Sequence, residues 1–197
     1  MECIFTDKEK FSKFQIPDGM QVTVLFVCHE NICRSPMAEG LFRAALLRRG
    51  CSGRFSAESA GTVCRQKGEP PDFRALSAAG AFGVDISAHR ARCTRDLRLA
   101  AYFRIFAMDH DDYRALLSQL DGVEREALRM LADYLPDAGV TAIEDPYYGS
   151  EEDFFTACGM IRDAVEYICD ELLRIGTSAG DSGPAATGRS FRKRFST

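Results

Sequence analysis

The chain has 197 residues, of which 46% are hydrophobic and 27% are charged, and this composition is typical of a globular protein. Its formal net charge of −4 gives no overall attraction to nucleic acid, and no apolar run is long enough to span a membrane. The N-terminal stretch MECIFTDKEKF lacks the continuous apolar segment of a secretory signal. The sequence therefore predicts a globular cytoplasmic protein with no membrane span and no nucleic-acid partner.

The eight cysteines are spread along the chain without a framework spacing and without a Cys-x-x-Cys pair. This pattern is typical of free thiols in a reducing compartment. Cys51, Cys158 and Cys169 fall within apolar patterns, so we expect them to be small buried side chains.

The first predicted elements are a strand and a helix. Residues 1–20 show little periodicity and are interpreted as an N-terminal extension. Residues 22–27 form an apolar run that predicts a strand buried on both faces. Residues 35–50 predict a helix, which Ser35 can cap and Gly50 can end.

Strands and helices continue to alternate along the chain, and residues 177–197 are predicted to be a disordered tail because they are rich in Gly, Ser and Ala. The folded domain therefore covers 21–176. Alternation predicts an α/β fold, with an open parallel sheet of about four strands and helices on both faces. The further elements are a strand at 54–61, a helix at 72–83, a strand at 101–108, a helix at 109–120 with acidic residues in its first turn, a strand rather than a helix at 127–131, and a long amphipathic helix at 151–176.

The stretch CHENICRS, residues 28–35, joins the first strand to the first helix. The N–H groups of such a loop bind an anion with help from the helix dipole. Arg34 offers a planar fork that matches two phosphate oxygens, and beside it Cys28 is predicted to ionise readily. The Cys-x5-Arg spacing predicts a thiolate beneath a bound oxyanion, as phosphoryl transfer to sulfur requires. No metal is needed, because the arginine and the amides neutralise the charge.

A second informative stretch is EDPYYG, residues 144–149. Phosphoryl transfer from an ester requires an acid for the leaving oxygen. Asp145 precedes a proline and is therefore held in an extended or turn conformation, and the two tyrosines that follow can wall an aromatic substrate. Asp145 is the candidate acid.

Five segments occur in the order found in low-molecular-weight protein tyrosine phosphatases, which the sequence resembles over about residues 22–175. The resemblance implies hydrolysis of phosphotyrosine in protein substrates through a phosphocysteine intermediate, without a cofactor or metal, and with inorganic phosphate as product or inhibitor. The segments are VCHENICRSPMAEG at 27–40, SAGT at 59–62, AHRAR at 88–92, AMD at 107–109 and DPYYG at 145–149.

The resemblance also implies roles for individual residues. Cys28 is the nucleophile, Arg34 clamps the transferring group, and Asp145 is the general acid and then the general base. Ser35 is expected to hydrogen-bond the thiolate. Cys33 is expected to form a disulfide with Cys28 that protects it from overoxidation.

Other residues are expected to shape the site. Asn31 holds the loop through a network with Ser59 and His89, and Tyr147 and Tyr148 form the mouth of the cleft. The remaining substrate-binding candidates are His29, Glu30, Ile32 and Arg65.

The sequence departs from the family pattern at two places. His29 and Glu30 stand where small or apolar residues are usual, and Arg65 and Gln66 stand where Trp followed by His or Asn is frequent. We expect the Glu30 carboxylate to point outward, because an inward anion would weaken binding of a dianion. In the outward orientation, the Glu30 carboxylate is a surface charge, or a partner for Arg65 or for a basic phosphopeptide.

Several alternatives remain open from the sequence. A thioredoxin-linked arsenate reductase usually has Ser where Ile32 stands and a redox cysteine where Met108 stands, and a phosphoarginine phosphatase favours Thr in place of Ile32. A phosphotyrosine-binding module without catalysis needs neither Cys28 nor Asp145. A zinc site is a further alternative, built from His29, Cys33, His89 and Cys93.

Overall fold

The computed structural model describes residues 20–137 and 139–177. The extension predicted at 1–20 and the tail predicted at 177–197 lie almost wholly outside these residues, so both stay predictions. The described chain builds a sheet of four parallel strands in the order β2-β1-β3-β4. The strands are β1 (Val22–Cys28), β2 (Phe55–Gly61), β3 (Arg104–Ala107) and β4 (Leu128–Met130).

The helices follow the predicted alternation. They are α1 (Arg34–Arg48), α2 (Phe73–Ala81), α3 (His110–Leu117) and α4 (Glu151–Thr177). Short 3-10 helices lie at Thr94–Asp96, Leu99–Ala101, Gly122–Ala127, Leu131–Tyr134 and Pro146–Tyr148. Among the described residues, no helix has the length and apolar character needed to cross a membrane.

Side chains of β1 alternate between the two faces of the sheet, as the period of a strand requires. Val24 and Phe26 belong to a large cluster with α1, α2 and α4. Leu25 and Val27 belong to a smaller cluster with α3 on the other face. Helices therefore cover both faces, and the predicted fold class is confirmed.

Two predicted details of the elements are wrong. Ser35 does not cap α1, which begins one residue earlier and has no side-chain cap; its hydroxyl lies against Cys28 instead. The strand predicted at 101–108 is shorter, because its first residue belongs to a 3-10 helix that leads into β3. Gly50 ends α1 as predicted, with φ at +66°.

The prediction of free thiols is wrong for one pair. Cys64 and Cys93 form a disulfide, with their Cα atoms 5.3 Å apart. The pairing follows from the fold, because Gly61 at the end of β2 bridges to Cys93 and so brings the two segments together. Cys51, Cys158 and Cys169 are free and buried, as expected.

Candidate active site

The loop at 29–33 curves from the end of β1 into α1. The carbonyl oxygens of Cys28 and His29 turn outward and accept hydrogen bonds from the N–H groups of Thr62 at 3.0 Å and Val63 at 2.8 Å. Carbonyl groups that turn outward leave N–H groups to the inner side of the curve, where they form an anion-binding concavity.

Two residues permit this curve. Asn31 has φ at +60°, in the left-handed region that asparagine tolerates better than most residues do. Gly61 allows the loop to approach β2, because a Cβ there would lie 2.9 Å from backbone atoms of Glu30 and His29.

A buried hydrogen-bond network supports the loop from beneath. The Asn31 amide donates to the hydroxyl groups of Ser35 at 2.8 Å and Ser59 at 2.9 Å, and Ser59 donates to Glu39 at 2.6 Å. Nε2 of His89 lies 3.2 Å from both oxygens of Asn31. Asn31, Ser35, Ser59 and His89 thus meet as the resemblance implies, although the side chains of Asn31 and Ser35 lie behind the loop and do not line the cleft.

Cys28 lies at the end of β1, with Sγ 3.0 Å from the hydroxyl of Ser35. Burial raises the pKa of the Cys28 thiol; Arg34 and the hydrogen bond with Ser35 lower it, and Asp112 raises it further. The expectation of a readily ionised thiol is therefore corrected for this structure. The physical reason is that burial disfavours the thiolate and that carboxylates beside Arg34 offset its charge.

Arg34 is almost fully buried beneath the loop. Its Nη1 donates to Asp109 at 2.7 Å and to the carbonyl of Ile143 at 2.8 Å, and its Nη2 donates to Asp145 at 2.9 Å. Its Nε has no hydrogen-bond partner in the described chain. The guanidinium is therefore fixed along one edge and retains a buried donor for a further acceptor.

A cleft of about 310 Å³ opens above Cys28. Most of the residues predicted to bind substrate surround it. The cleft is lined by Cys28, His29, Glu30, Ile32, Cys33, Arg65, Gln66, Asp145, Tyr147 and Tyr148.

The Glu30 carboxylate points along the rim of the cleft. Oε1 accepts a hydrogen bond from Nε of Arg65 at 2.9 Å, and Oε2 accepts one from the N–H group of Gln66 at 3.3 Å. The expected pairing with Arg65 is therefore confirmed.

Asp145 also lines the cleft, in the extended conformation expected before a proline. Tyr147 is partly exposed and Tyr148 is 97% exposed, and their rings meet edge to face at 5.0 Å. Arg74 of α2 braces this segment by donating to the carbonyl of Gly149 at 3.1 Å. The segment thus offers an aromatic surface at the mouth.

Two residues that support the site were missed by the sequence interpretation. Asp109 holds Arg34 and also caps α3, through the N–H group of Asp112 at 2.8 Å. Glu39 anchors the buried network. Each has another explanation in the sequence: Asp109 belongs to the acidic residues predicted at the start of a helix, and Glu39 is an ordinary helical carboxylate.

The zinc alternative finds no support in this arrangement. Cys93 is bonded to Cys64, and within residues 20–137 and 139–177 no group of three or more metal-ligating side chains is arranged to hold a metal ion.

A buried cysteine, an arginine clamp and a carboxyl group converge at the carboxyl end of a parallel sheet. This combination is typical of α/β phosphatases that use a cysteine nucleophile. The family model described as low molecular weight phosphotyrosine protein phosphatase matches residues 23–177. The chain belongs to this family.

Known relatives agree with the family match. Low molecular weight protein-tyrosine phosphatase A of Mycobacterium tuberculosis is 39% identical over 167 residues, which cover 82% of this chain and 99% of the relative. The human low molecular weight phosphotyrosine protein phosphatase is 37% identical over 136 residues, which cover 68% and 85%. The crystal structure of a protein tyrosine phosphatase from Entamoeba histolytica superposes with a TM-score of 0.75 at 28% identity, covering 78% of this chain and 98% of that structure.

Proposed function

We propose that this chain hydrolyses phosphotyrosine in proteins, with Cys28 as nucleophile, Arg34 as the clamp and Asp145 as acid and base. The observation that carries the proposal is the guanidinium of Arg34. It lies beneath the same loop as the Cys28 sulfur, it is held along one edge by Asp109, and its buried Nε has no partner. A buried donor without a partner is costly unless an acceptor binds there, and phosphate oxygens are suitable acceptors.

In the first step, Sγ of Cys28 attacks phosphorus while the bond from phosphorus to the tyrosyl oxygen breaks. Asp145 gives its proton to that oxygen, so the leaving group departs as a neutral phenol. The Ser35 hydroxyl, 3.0 Å from Sγ, stabilises the thiolate before attack. Arg34 and the loop amides hold the transferring group as its charge redistributes.

In the second step, the phosphoryl group leaves sulfur. The Asp145 carboxylate takes a proton from water while the water oxygen attacks phosphorus, and the sulfur–phosphorus bond breaks. The products are inorganic phosphate and the free Cys28 thiolate. Inorganic phosphate is therefore expected to inhibit by occupying the same loop.

The mouth of the cleft supports an aryl ester as substrate. Tyr147 and Tyr148 supply aromatic walls, and Ile32 supplies an apolar contact at the position where polar residues favour arsenate or phosphoarginine. Arg65 keeps three quarters of its side chain exposed although it is paired with Glu30. It can attract an acidic residue next to the phosphotyrosine.

The direct test compares initial rates on an aryl phosphate, a phosphotyrosine peptide, a phosphoserine peptide, phosphoarginine, and arsenate supplied with thioredoxin. We expect turnover of the two aryl esters only. Cys28→Ser is expected to abolish turnover, by on the order of 10⁶-fold as for other enzymes that lose their nucleophile, while leaving a folded protein that still binds phosphate. Full activity of Cys28→Ser, or a preference for phosphoarginine or arsenate, would contradict the assignment.

We also infer that the enzyme is reversibly inactivated by peroxide. Cys28 and Cys33 are both free, and both line the cleft. Peroxide oxidises Cys28 to a sulfenic acid, and the Cys33 thiol then displaces water to form a disulfide. Mass spectrometry should find the 28–33 link and its loss with a thiol, and phosphate should protect. Overoxidised Cys28 without a link would contradict this inference.

A further inference from the structure

The buried carboxyl of Asp112 has no role in the mechanism described above. It lies in the first turn of α3 and is 1% exposed. Its Oδ1 accepts a hydrogen bond from the Thr62 hydroxyl at 3.1 Å. Its Oδ2 lies 3.8 Å from Nη2 of Arg34 and has no hydrogen-bond partner in the described chain.

This position is not explained by the helix dipole alone. Asp111, its neighbour in the same turn, serves the dipole equally well and is 84% exposed, with Arg114 as its partner. Asp112 instead turns inward, beneath the anion-binding loop, where an ionised carboxylate is costly.

The charges around Asp112 are unbalanced. Arg34 of α1 is the cation that faces it, and Asp109 at the start of α3 and the Cys28 thiol at the end of β1 are acidic groups that interact with it. Thr62, which follows β2, is uncharged, and Asp145 lies against the same Nη2 of Arg34 as Asp112 does. If all these acids ionise, a dianion brought to the loop meets several negative groups and one positive group, which disfavours its binding.

We propose that Asp112 is a positioning residue that holds a proton while the oxyanion is bound, so that anion binding to the loop is coupled to proton uptake at this carboxyl. Asp112 acts through Arg34. When the Asp112 carboxyl is protonated, it no longer offsets the charge of Arg34, and the guanidinium can neutralise the bound anion. This inference rests on the proposed function, because it concerns the same oxyanion loop.

The protonation of Asp112 in the protein without a bound anion is consistent with this role. Burial, reinforced by the negative charge of Asp109, raises the pKa of Asp112 to about 7. The carboxyl is therefore partly ionised in neutral solution. A dianion near it adds a like charge, which favours the protonated form further.

The test measures sulfate binding by calorimetry between about pH 5.5 and 8.5 in a Cys28→Ser background, which removes the titration of the thiol. Sulfate keeps the same charge throughout this range, so changes in its Kd report the protein. We expect sulfate to bind about tenfold more weakly at the alkaline end, as one added like charge nearby predicts. Adding Asp112→Asn should remove most of that dependence, because the amide mimics the protonated acid.

Asp111→Asn in the same background is the matched control and should keep the full pH dependence of the parent. A pH dependence unchanged by Asp112→Asn would overturn the proposal. Failure of every variant to bind sulfate at any pH would instead overturn the proposed function, and this inference with it.

A second variant tests the same proposal without relying on the folding of Asp112→Asn. Thr62→Val removes the hydrogen bond that lowers the pKa of Asp112, so the midpoint of the sulfate transition should move to higher pH. The alkaline limb of kcat/KM for an aryl phosphate should move the same way in otherwise unmodified enzyme. A midpoint that stays fixed, or moves to lower pH, contradicts the proposal.

Discussion

The base and the mouth of the cleft are built in different ways. At the base, Asn31, Ser35 and Ser59 are buried and joined by short hydrogen bonds, and the buried Arg34 is held by Asp109 and Asp145. At the mouth, Tyr148 is almost fully exposed, and the other rim contacts are partly open to solvent. Buried polar networks are costly to disturb, whereas exposed ion pairs contribute little. The groups proposed to react are therefore held rigidly at the base. The residues expected to set substrate preference lie at the mouth, where substitutions cost little stability.

The largest expected effect comes from Arg34→Lys. A lysine cannot replace the fork, because it is a point charge with a different reach. We expect kcat/KM to fall by at least about 10³-fold on every substrate, since more than one oxyanion donor is lost. Arg48→Lys, on the exposed part of the same helix, is the control and should stay near wild type. A loss below tenfold for Arg34→Lys would show that the base is less fixed than proposed.

Asp145→Asn tests the residue that links the two regions. Hydrolysis of a phenyl-type ester should slow by about 10² to 10⁴-fold, because the leaving oxygen loses its proton donor. An ester with a very acidic leaving group should be affected much less. The neighbouring Glu144→Gln serves as the control. Equal losses on both esters would indicate that Asp145 acts by holding Arg34 rather than by donating a proton.

Asn31 provides a test of the buried network. Asn31→Ala removes the amide that joins Ser35, Ser59 and His89, and it places alanine at a positive φ. We expect a loss of about 2–4 kcal/mol in the free energy of unfolding, from unpaired polar groups and backbone strain. Asn31→Gly keeps the backbone freedom and should recover about 1 kcal/mol of this in denaturant titrations. Equal stability of wild type and Asn31→Ala would contradict a stabilising role for this network.

The smallest effect is expected at the rim. Glu30→Gln should change kcat/KM for a small aryl phosphate by less than about fivefold, roughly 1 kcal/mol, because the carboxylate is paired with Arg65. A charged phosphopeptide should respond more strongly, and added salt should reduce that response. A gain of tenfold or more on the small ester would place the carboxylate charge at the phosphate after all.

Local patterns in the sequence are enough to predict the fold and the pairing of Cys28 with Arg34. Hydrophobic periodicity identifies the strands. Cys28 and Arg34 share a loop of fixed length, so their spacing alone brings them together. Asp109 and Asp112 were not found, because an acid at the start of a helix already has a local explanation. The disulfide of Cys64 and Cys93 was missed because it joins segments that only the sheet brings side by side.

The parallel sheet has a consequence for how the enzyme acquires activity during folding. β1 pairs with β2 and β3 through contacts such as Val22 with Phe55 and Val24 with Arg104, which are far apart along the chain. Such contacts require large loops to close before any stabilisation is gained, so they form late and slowly. The loop after β1 depends on Thr62 and His89 for its shape. A chain that has formed only its local helices therefore has no phosphate pocket. Recovery of activity during refolding is expected to indicate that the sheet is complete.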